Sequence, residues 1–374
     1  MILSDVCEFI VDCPHSTAPD EGKGYPLIRT PNVGKGRLDL NGVHRVSESV
    51  YKQRIQRGAP RANDLIFARE APAGNVALVQ ENQTVCLGQR TVLIRPNVQK
   101  VNPQYLVYYL LSPKPQYELL GTANGATVAH INLPAIRNLK IELPEKSVQD
   151  KIGTILVTYD DLIENNQRQI KLLEEAAQRL YKEWLVDLRF PGHENTKIVD
   201  GVPEGWSRTN INEILTFHRG YDLTKNEMKA GRYPVVGSTT VIGYHNEFKI
   251  KGPGIVTGRS GSLGKYQFIW DNFWPHNTSL YISDYKDHNI FFVYSLLQTV
   301  DFASLNNGGA IPTLNRNVLS NIEVIEPTDE LQEMFAKIAE PQYQKIKNLE
   351  KQNDKLKTAR DLLLPKFMSG EVEV

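Results

Sequence analysis

Residues 124–144 and 307–327 lie on each other without a gap, NGATVAHINLPAIRNLKIELP on NGGAIPTLNRNVLSNIEVIEP, at a shift of 183 residues in a chain of 374. Asn132 meets Asn315, Asn138 meets Asn321 and Pro144 meets Pro327. Apolar positions also meet apolar ones: Val128 with Ile311, Ile131 with Leu314, Ile136 with Leu319, Leu139 with Ile322 and Ile141 with Val324. Upstream the match continues with small changes of offset, which surface-loop insertions produce. LIFARE-APAGN (65–75) resembles IVTGRSGSLGK (255–265), setting Arg69 on Arg259 and Gly74 on Gly264. YLVYYLL (105–111) resembles FFVYSLL (291–297), and Tyr25-Pro-Leu-Ile resembles Tyr233-Pro-Val-Val. A chain that repeats itself at about half its length is expected to fold as two like modules.

Each copy opens with short strand-like runs, among them Asp64-Leu-Ile-Phe-Ala, Thr91-Val-Leu-Ile-Arg and Gly254-Ile-Val-Thr, punctuated by Gly, Pro and Asn. One short helix, 103–111 or 288–298, interrupts each set, and each copy closes with a long helix starting just after Pro144 or Pro327. In the first long helix, apolar residues recur at alternating steps of four and three: Ile152, Leu156, Tyr159, Ile163, Asn166, Ile170, Leu173, Ala177, Leu180 and Trp184. That is a coiled-coil seam. The same phase in the second helix gives Ile346, Leu349, Asn353, Leu356, Arg360, Leu363 and Phe367, with Arg360 degrading the stripe and Pro341 expected to bend or interrupt it. A helix of about 40 residues is ~60 Å long, more than a domain of this size covers. The expected fold class is therefore α+β: two similar mixed modules separated by two long antiparallel coiled-coil helices, with a pseudo-two-fold axis within one chain. Amphipathic helices packed on a globular core remain the alternative.

Composition excludes several classes. The hydrophobic fraction of 41% suits a globular chain, and no apolar run reaches the roughly 18 residues a membrane span needs. The start, Met1-Ile-Leu-Ser-Asp-Val-Cys-Glu, carries acid where a signal peptide carries base. Three cysteines (Cys7, Cys13, Cys86) without a CxxC pair point to reduced thiols in a cytoplasm and against a zinc site or disulfide framework. Net charge is zero. Residues 1–144 hold 16 Lys+Arg against 12 Asp+Glu, and residues 191–327 hold 12 against 13. The basic run Arg45, Lys52, Arg54, Arg57 and Arg61 fits a phosphate track or a solvated helix face equally well.

Three stretches carry a family likeness. They are LLEEAAQRLYKEWLVDLRFPGHENTKIVDGVPEGW (172–206), IELPEKSVQDKI (141–152) and the terminal LLPKFMSGEVEV. In this order and duplicated, they resemble the specificity subunit of type I restriction–modification systems, over essentially the whole chain. The second copy departs from the pattern: it lacks the basic balance, its seam is weaker, and IEVIEPTDELQEMF keeps Gln332 but has Glu-Pro for Leu-Pro. The resemblance implies target-recognition domains at 1–144 and 191–327, joined by conserved helical spacers at 145–190 and 328–374. It implies a non-catalytic subunit reading a bipartite, asymmetric double-stranded DNA site. Two methyltransferase subunits would dock on it and motor-nuclease subunits would join. No cofactor is expected on this chain, with S-adenosylmethionine, ATP and Mg on the partners. The helices would pair through Ile163, Asn166, Ile170, Leu173, Leu180, Trp184, Ile346, Leu349, Asn353, Leu356, Leu363 and Phe367.

Bases are read by a few side chains at their edges, with Arg suited to guanine and Asn or Gln to adenine. Arg69 and Arg259, matched and each followed by a Gly-containing turn, are paired candidates for DNA contact, or else strand-end ion pairs. The Gly-rich turns 121–127 and 306–311 bring backbone to phosphate or form tight hairpins. Further candidates are Lys23, Arg29, Lys35 and Arg37 in the first copy, and Arg219, Tyr221, Lys249, Lys251 and Lys265 in the second. Enzyme readings fare worse. GRSGSLGKY (258–266) misspaces a phosphate loop and has Tyr266 where Ser or Thr binds magnesium. There is no methyltransferase Asn/Asp-Pro-Pro-Tyr/Phe loop, and the histidines miss metal spacings. A helical scaffold joining two proteins, or a nucleic-acid-processing enzyme of another type, are the alternatives.

Overall fold

The computed structural model describes residues 1–121, 129–259, 264–300 and 322–374. The chain forms two compact units, Met1–Asn166 with Gln352–Val374, and Gln167–Lys351.

In the first unit the strands are β1 (Cys7–Asp12), β2 (Tyr25–Ile28), β3 (Gly36–Arg37), β4 (Arg45–Val46), β5 (Leu65–Ala68), β6 (Val76–Leu78), β7 (Cys86–Leu87) and β8 (Thr91–Pro96). Helices α1 (Glu48–Arg54), α2 (Pro103–Leu111), α3 (Pro113–Gly121) and α4 (Leu133–Arg137) pack around them, before the long α5 (Lys146–Tyr181). The main sheet runs β1-β8-β5-β6-β3 and a smaller one β4-β2-β7. β5 is buried on both faces because its alternate residues serve two cores. Leu65 and Phe67 face the α2 and α5 side, while Ile66 and Ala68 face the other.

The second unit has a small hairpin, β9 (Ile198–Val199) and β10 (Val202–Pro203), then β11 (Ser207–Asn210), the short α6 (Ile211–Ile214) and β12 (Thr216–Arg219). It continues through β13 (Tyr233–Val236), β14 (Val241–His245), β15 (Gly254–Gly258), β16 (Tyr266–Ile269), β17 (Trp274–Pro275) and β18 (Ser279–Asp284). Helix α7 (Ile290–Thr299), β19 (Glu323–Glu326) paired with β11, and the long α8 (Asp329–Ser369) follow. Its sheets, β12-β18-β15-β16 and β14-β13-β17, repeat those of the first unit except that, among the described residues, no strand stands in the place of β3. Even the parallel pairing recurs: Leu27 opposes Cys86 as Val235 opposes Trp274.

Small hydrogen bonds repeat with the strands. Arg69 N donates to Arg90 O at 2.9 Å, and Arg259 N to Thr278 O at 3.2 Å. The Thr91 hydroxyl donates to Gly88 O (2.9 Å), and the Ser279 hydroxyl to His276 O (2.8 Å). The matched glycines Gly74 and Gly264 both adopt the left-handed region, at φ +89° and +83°, which a side chain would strain. Asn102 caps α2 by accepting from Tyr105 N, as Asn289 caps α7 by accepting from Phe291 N. The Pro-x₄-Gln motif acquires a physical reason as well. Gln149 donates to Pro144 O at 2.8 Å and Gln332 to Pro327 O at 3.1 Å, both glutamines being buried. A bond to the proline carbonyl does not involve the residue before it, so Glu-Pro serves as well as Leu-Pro.

The long helices run antiparallel. In the first unit Ile152 and Leu156 of α5 share a core with Leu363, Leu364 and Phe367 of α8. In the second, Ile170, Leu173, Ala177 and Leu180 share one with Ala339, Tyr343 and Ile346. Ile163 and Leu349 are buried and Leu356 half-buried. Three expectations are corrected. Tyr159 is half-buried, and the buried position beside it is Asp160. Late in α5 the buried residues are Tyr181 and Leu185, with Leu180 and Trp184 packing at the margin, because the steps become four and four ahead of a π-turn at Lys182–Val186. Pro341 does not interrupt α8, which continues unbroken to Ser369. The carbonyl left without a donor belongs to Lys337, on the exposed face where water reaches it.

Candidate nucleic-acid interface

In each unit the same four connections gather at one end of the sheets: those after β1 or β12, after β2 or β13, between β5 and β6 or β15 and β16, and before β8 or β18. Strand register makes their residues comparable. Asp12 opposes Val92 on β8 and Arg219 opposes Leu280 on β18. Ala68 opposes Thr91 as Gly258 opposes Ser279. Arg219 therefore occupies the place of Asp12, beside the matched arginines.

In the first unit this substitution decides what Arg69 does. Its Nη1 pairs with Asp12 Oδ2 at 2.7 Å and its Nε donates to Ile131 O at 2.9 Å, with both side chains largely buried. His130 Nε2 lies 2.7 Å from Arg69 Nη2, and His130 Nδ1 lies 2.5 Å from Glu70 Oε1. Glu70 also holds Arg90, at 2.6 Å. Arg69 is thus a brace: its guanidinium is consumed internally, and the strand-end ion pair displaces the base-contact reading. The exposed cation of this end is Arg90, 62% accessible, which no repeat pattern marked. Arg29 is also here, half-buried, with its alkyl chain against Gly88.

At the second unit's end the carboxylate is gone. Arg219 is exposed and Arg259 half-buried, and neither guanidinium has an ion-pair or hydrogen-bond partner among the described residues. Lys265 is exposed after Gly264. Tyr221 donates to or accepts from Tyr281 at 2.9 Å, and Lys249 Nζ sits 4.8 Å over Trp274 and 5.8 Å over Tyr221. The Ser238 hydroxyl donates to Thr278 O at 2.7 Å, tying the β13–β14 turn to the group and leaving Thr239, Thr240 and Thr278 exposed. Sequence charge pointed to the first module as the basic one. Among the described residues, the cations without a partner at this end are Arg219, Arg259 and Lys265 in the second unit, against Arg29 in the first.

Other candidates lie elsewhere. Arg37 binds Asp161 of α5 at 2.5 Å, and Lys35 borders a cleft with Tyr108, Arg360 and Asp361, so both belong to the helix joint. Lys23 is exposed ahead of β2, and Lys251 sits where β15 begins, away from its Arg259 end. The basic run mostly serves the fold: Arg54 is buried and donates to Pro14 O, Arg57 donates to Cys13 O, and Arg45 to Gly24 O. The Gly-rich turns lie outside the described residues, over 122–127 and 306–311.

A family model described as "Type I restriction modification DNA specificity domain" matches this chain twice, over residues 1–175 and 203–358. The chain belongs to that family. It is 27% identical over 364 residues to the type I restriction enzyme MjaIX specificity subunit of Methanocaldococcus jannaschii, with 89% of this chain and 83% of that one covered. The HindI specificity subunit of Haemophilus influenzae is 22% identical over 404 residues, covering 84% and 87%. The fold is that of a type I restriction–modification S subunit from M. genitalium, at a TM-score of 0.62 and 18% identity over 98% and 95% of the two chains.

Membership makes this a DNA-recognition subunit rather than an enzyme. After Lys265 the GRSGSLGKY segment enters β16, not the helix whose N-terminus a phosphate loop requires. Among the described residues no His, Cys, Asp and Glu cluster could hold a metal, and no helix is long and apolar enough to cross a membrane. Burial pushes the Cys7 thiol up to about 12 and Cys86 to about 11, so neither is a reactive thiolate.

Proposed function

We propose that this chain reads a split, asymmetric DNA site, each unit's loop end contacting one half. The target-recognition domains would be 1–144 and 191–327, with the spacers 145–190 and 328–374 as dock for two methyltransferase subunits. Motor-nuclease subunits complete the assembly, and S-adenosylmethionine, ATP and Mg belong to those partners, in a cytoplasm. The observation that carries the reading is one loop scaffold built twice with different charges on it. Repeated backbone bonds give two equivalent platforms, while Asp12 against Arg219 gives them different chemistry. Two linked reading heads bind more tightly than either alone, because the second half-site is met at high effective concentration.

In the second unit, Arg219, Arg259 and Lys265 form the phosphate and base contacts, with Lys249 and Tyr221 beside them. Each lost phosphate contact lowers the salt slope of binding by about 0.9. Replacing Arg219, Arg259 and Lys265 together by Ala should reduce that slope by roughly 2–3 in the complex with its methyltransferase. The methylated motif of a host carrying this variant should lose definition in one half and keep the other. An unchanged slope with both halves intact would remove these residues from the interface. A complex that protects no split sequence at all would leave the helical scaffold as the better reading.

A further inference from the structure

The helix seam of the first unit contains two polar layers. Asn166 Nδ2 donates to Asn353 Oδ1 at 2.9 Å, both side chains buried. Two turns away, Asp160, 3% exposed, pairs with Arg360, 14% exposed, and accepts from the Tyr108 hydroxyl at 2.5 Å. Gly36 at φ +90° brings backbone so close that a Cβ there would lie 2.7 Å from Asp160 Oδ2.

The repeat shows what these residues replace. At the 183-residue shift, Asp160 corresponds to Tyr343 and Arg360 to Ala177, while Asn166 corresponds to Leu349 and Asn353 to Ile170. Tyr108 corresponds to Tyr294, and in the second unit Tyr294 and Tyr343 meet edge to face at 5.4 Å. The same joint is thus ionic in one unit and aromatic in the other.

Because α5 and α8 are copies of each other, an α5 could pair in the same antiparallel register with α5 of a second chain, and α8 with α8. In the α5 pair Asp160 would face Ala177, and Asn166 would face Ile170. In the α8 pair Arg360 would face Tyr343, and Asn353 would face Leu349. Each like-with-like pairing loses the charge pair and the Asn–Asn bond across the seam. Asp160 keeps only the Tyr108 hydroxyl and Arg360 keeps only the exposed Asp361 on its own helix, and separating a buried pair costs about 3–5 kcal/mol. Only α5 with α8 satisfies all four.

We infer that the Asp160–Arg360 and Asn166–Asn353 layers are an address: they pair α5 with α8 and reject association of like helices between two copies of the chain. A single polar residue in an otherwise apolar seam is known to fix register and partner at some cost in stability.

The test uses full-length chains in a Tyr108→Phe background, which removes the second partner of Asp160. Asp160→Arg places two guanidinium groups in the seam, and Arg360→Asp places two carboxylates. Each alone should melt roughly 6–15 °C lower, and the double reversal within one chain should recover most of the loss. Mixed in equal amounts and annealed, the two singly reversed chains should form a 1:1 dimer of twice the 42.3 kDa chain mass. The α5 of each would pair with the α8 of the other, since both exchanged seams then carry opposite charges. Light scattering and co-purification through two different tags would read this. If either chain is insoluble alone, co-expression keeps the readout: soluble co-purification supports the address, and insolubility of the pair overturns it. It is also overturned if the double reversal gains nothing over the singles, or if the mixture stays monomeric while each chain alone is folded.

Discussion

Arg69 and Arg259 occupy one position in a duplicated fold, yet removing them should have opposite consequences. Arg69→Met deletes the partner of Asp12, whose side chain is 13% exposed at 2.7 Å from the guanidinium. Breaking a fully buried pair costs about 3–5 kcal/mol, and slight exposure places this one near the lower end, ~3 kcal/mol. The donor to Ile131 O at 2.9 Å adds about 1 kcal/mol. For a unit of this size, the sum of ~4 kcal/mol is a fall in melting temperature of roughly 8–16 °C. Arg259→Met removes a guanidinium with no partner among the described residues, so stability should change by less than about 0.5 kcal/mol while DNA affinity falls by ~1–3 kcal/mol. Trp184, Trp206, Trp270 and Trp274 all lie in the second unit, which helps the assay. Far-ultraviolet circular dichroism reports both units, whereas tryptophan emission reports only the second. Arg69→Met should therefore shift the dichroism melt more than the emission melt. Equal melts for Arg69→Met and the natural chain would refute the brace, and a large destabilisation by Arg259→Met would refute the free cation.

Three further outcomes follow from the same geometry. Gln149→Leu and Gln332→Leu each strand a proline carbonyl at the start of a long helix and should each cost about 1–3 kcal/mol in chemical denaturation, despite the second copy's Glu-Pro. Gly74→Ala and Gly264→Ala place a side chain at positive φ and should each cost about 1–2 kcal/mol. At Gly74 the added Cβ would also lie 2.5 Å from Gln116 Oε1, a further cost. With its thiol near 11, Cys86 is only about 0.1% thiolate at pH 8, so in native protein it should react with a disulfide reagent far more slowly than in denaturant, and Cys7 likewise.

The repeat was legible because alignment of Asn, Pro and apolar positions survives where backbone geometry demands it. Gly74 with Gly264 and Gln149 with Gln332 are matched in sequence since one needs a left-handed turn and the other a buried donor. The seam was legible for the same reason over Ile152–Ala177. What escaped depends on which side chains meet in space. Nothing in the order of residues says that Asp12 closes on Arg69, or that Arg54 is buried under Pro14 rather than solvated on a helix face. Arg360 looked like a flaw in the stripe because a stripe is read along one helix. Its meaning lies on the other, where Asp160 stands almost as far from Asn166 as Arg360 stands from Asn353. Complementary charges at mirrored distances along two antiparallel copies were the signal available.

The duplicated scaffold and its diverged charges answer different demands. Bonds that both copies keep, from Arg69 N and Arg259 N or from Thr91 and Ser279, are made by backbone and small hydroxyls, and they fix where each loop end stands. Groups that differ, Asp12 against Arg219 and Arg90 against Thr278, stand on that frame: Asp12 is spent bracing Arg69, whereas Arg219 and Thr278 are exposed. A protein that reads two unlike half-sites needs this division, since a change of read sequence must not disturb the platform. The seam obeys the opposite logic. There the copies had to diverge for the two helices to recognise each other, and the divergence takes the form of a charge pair and an amide pair inside one unit rather than at its surface. Exposed side chains at the loop ends, Arg219 and Lys265 among them, can drift independently, whereas Asp160 and Arg360 can change only together.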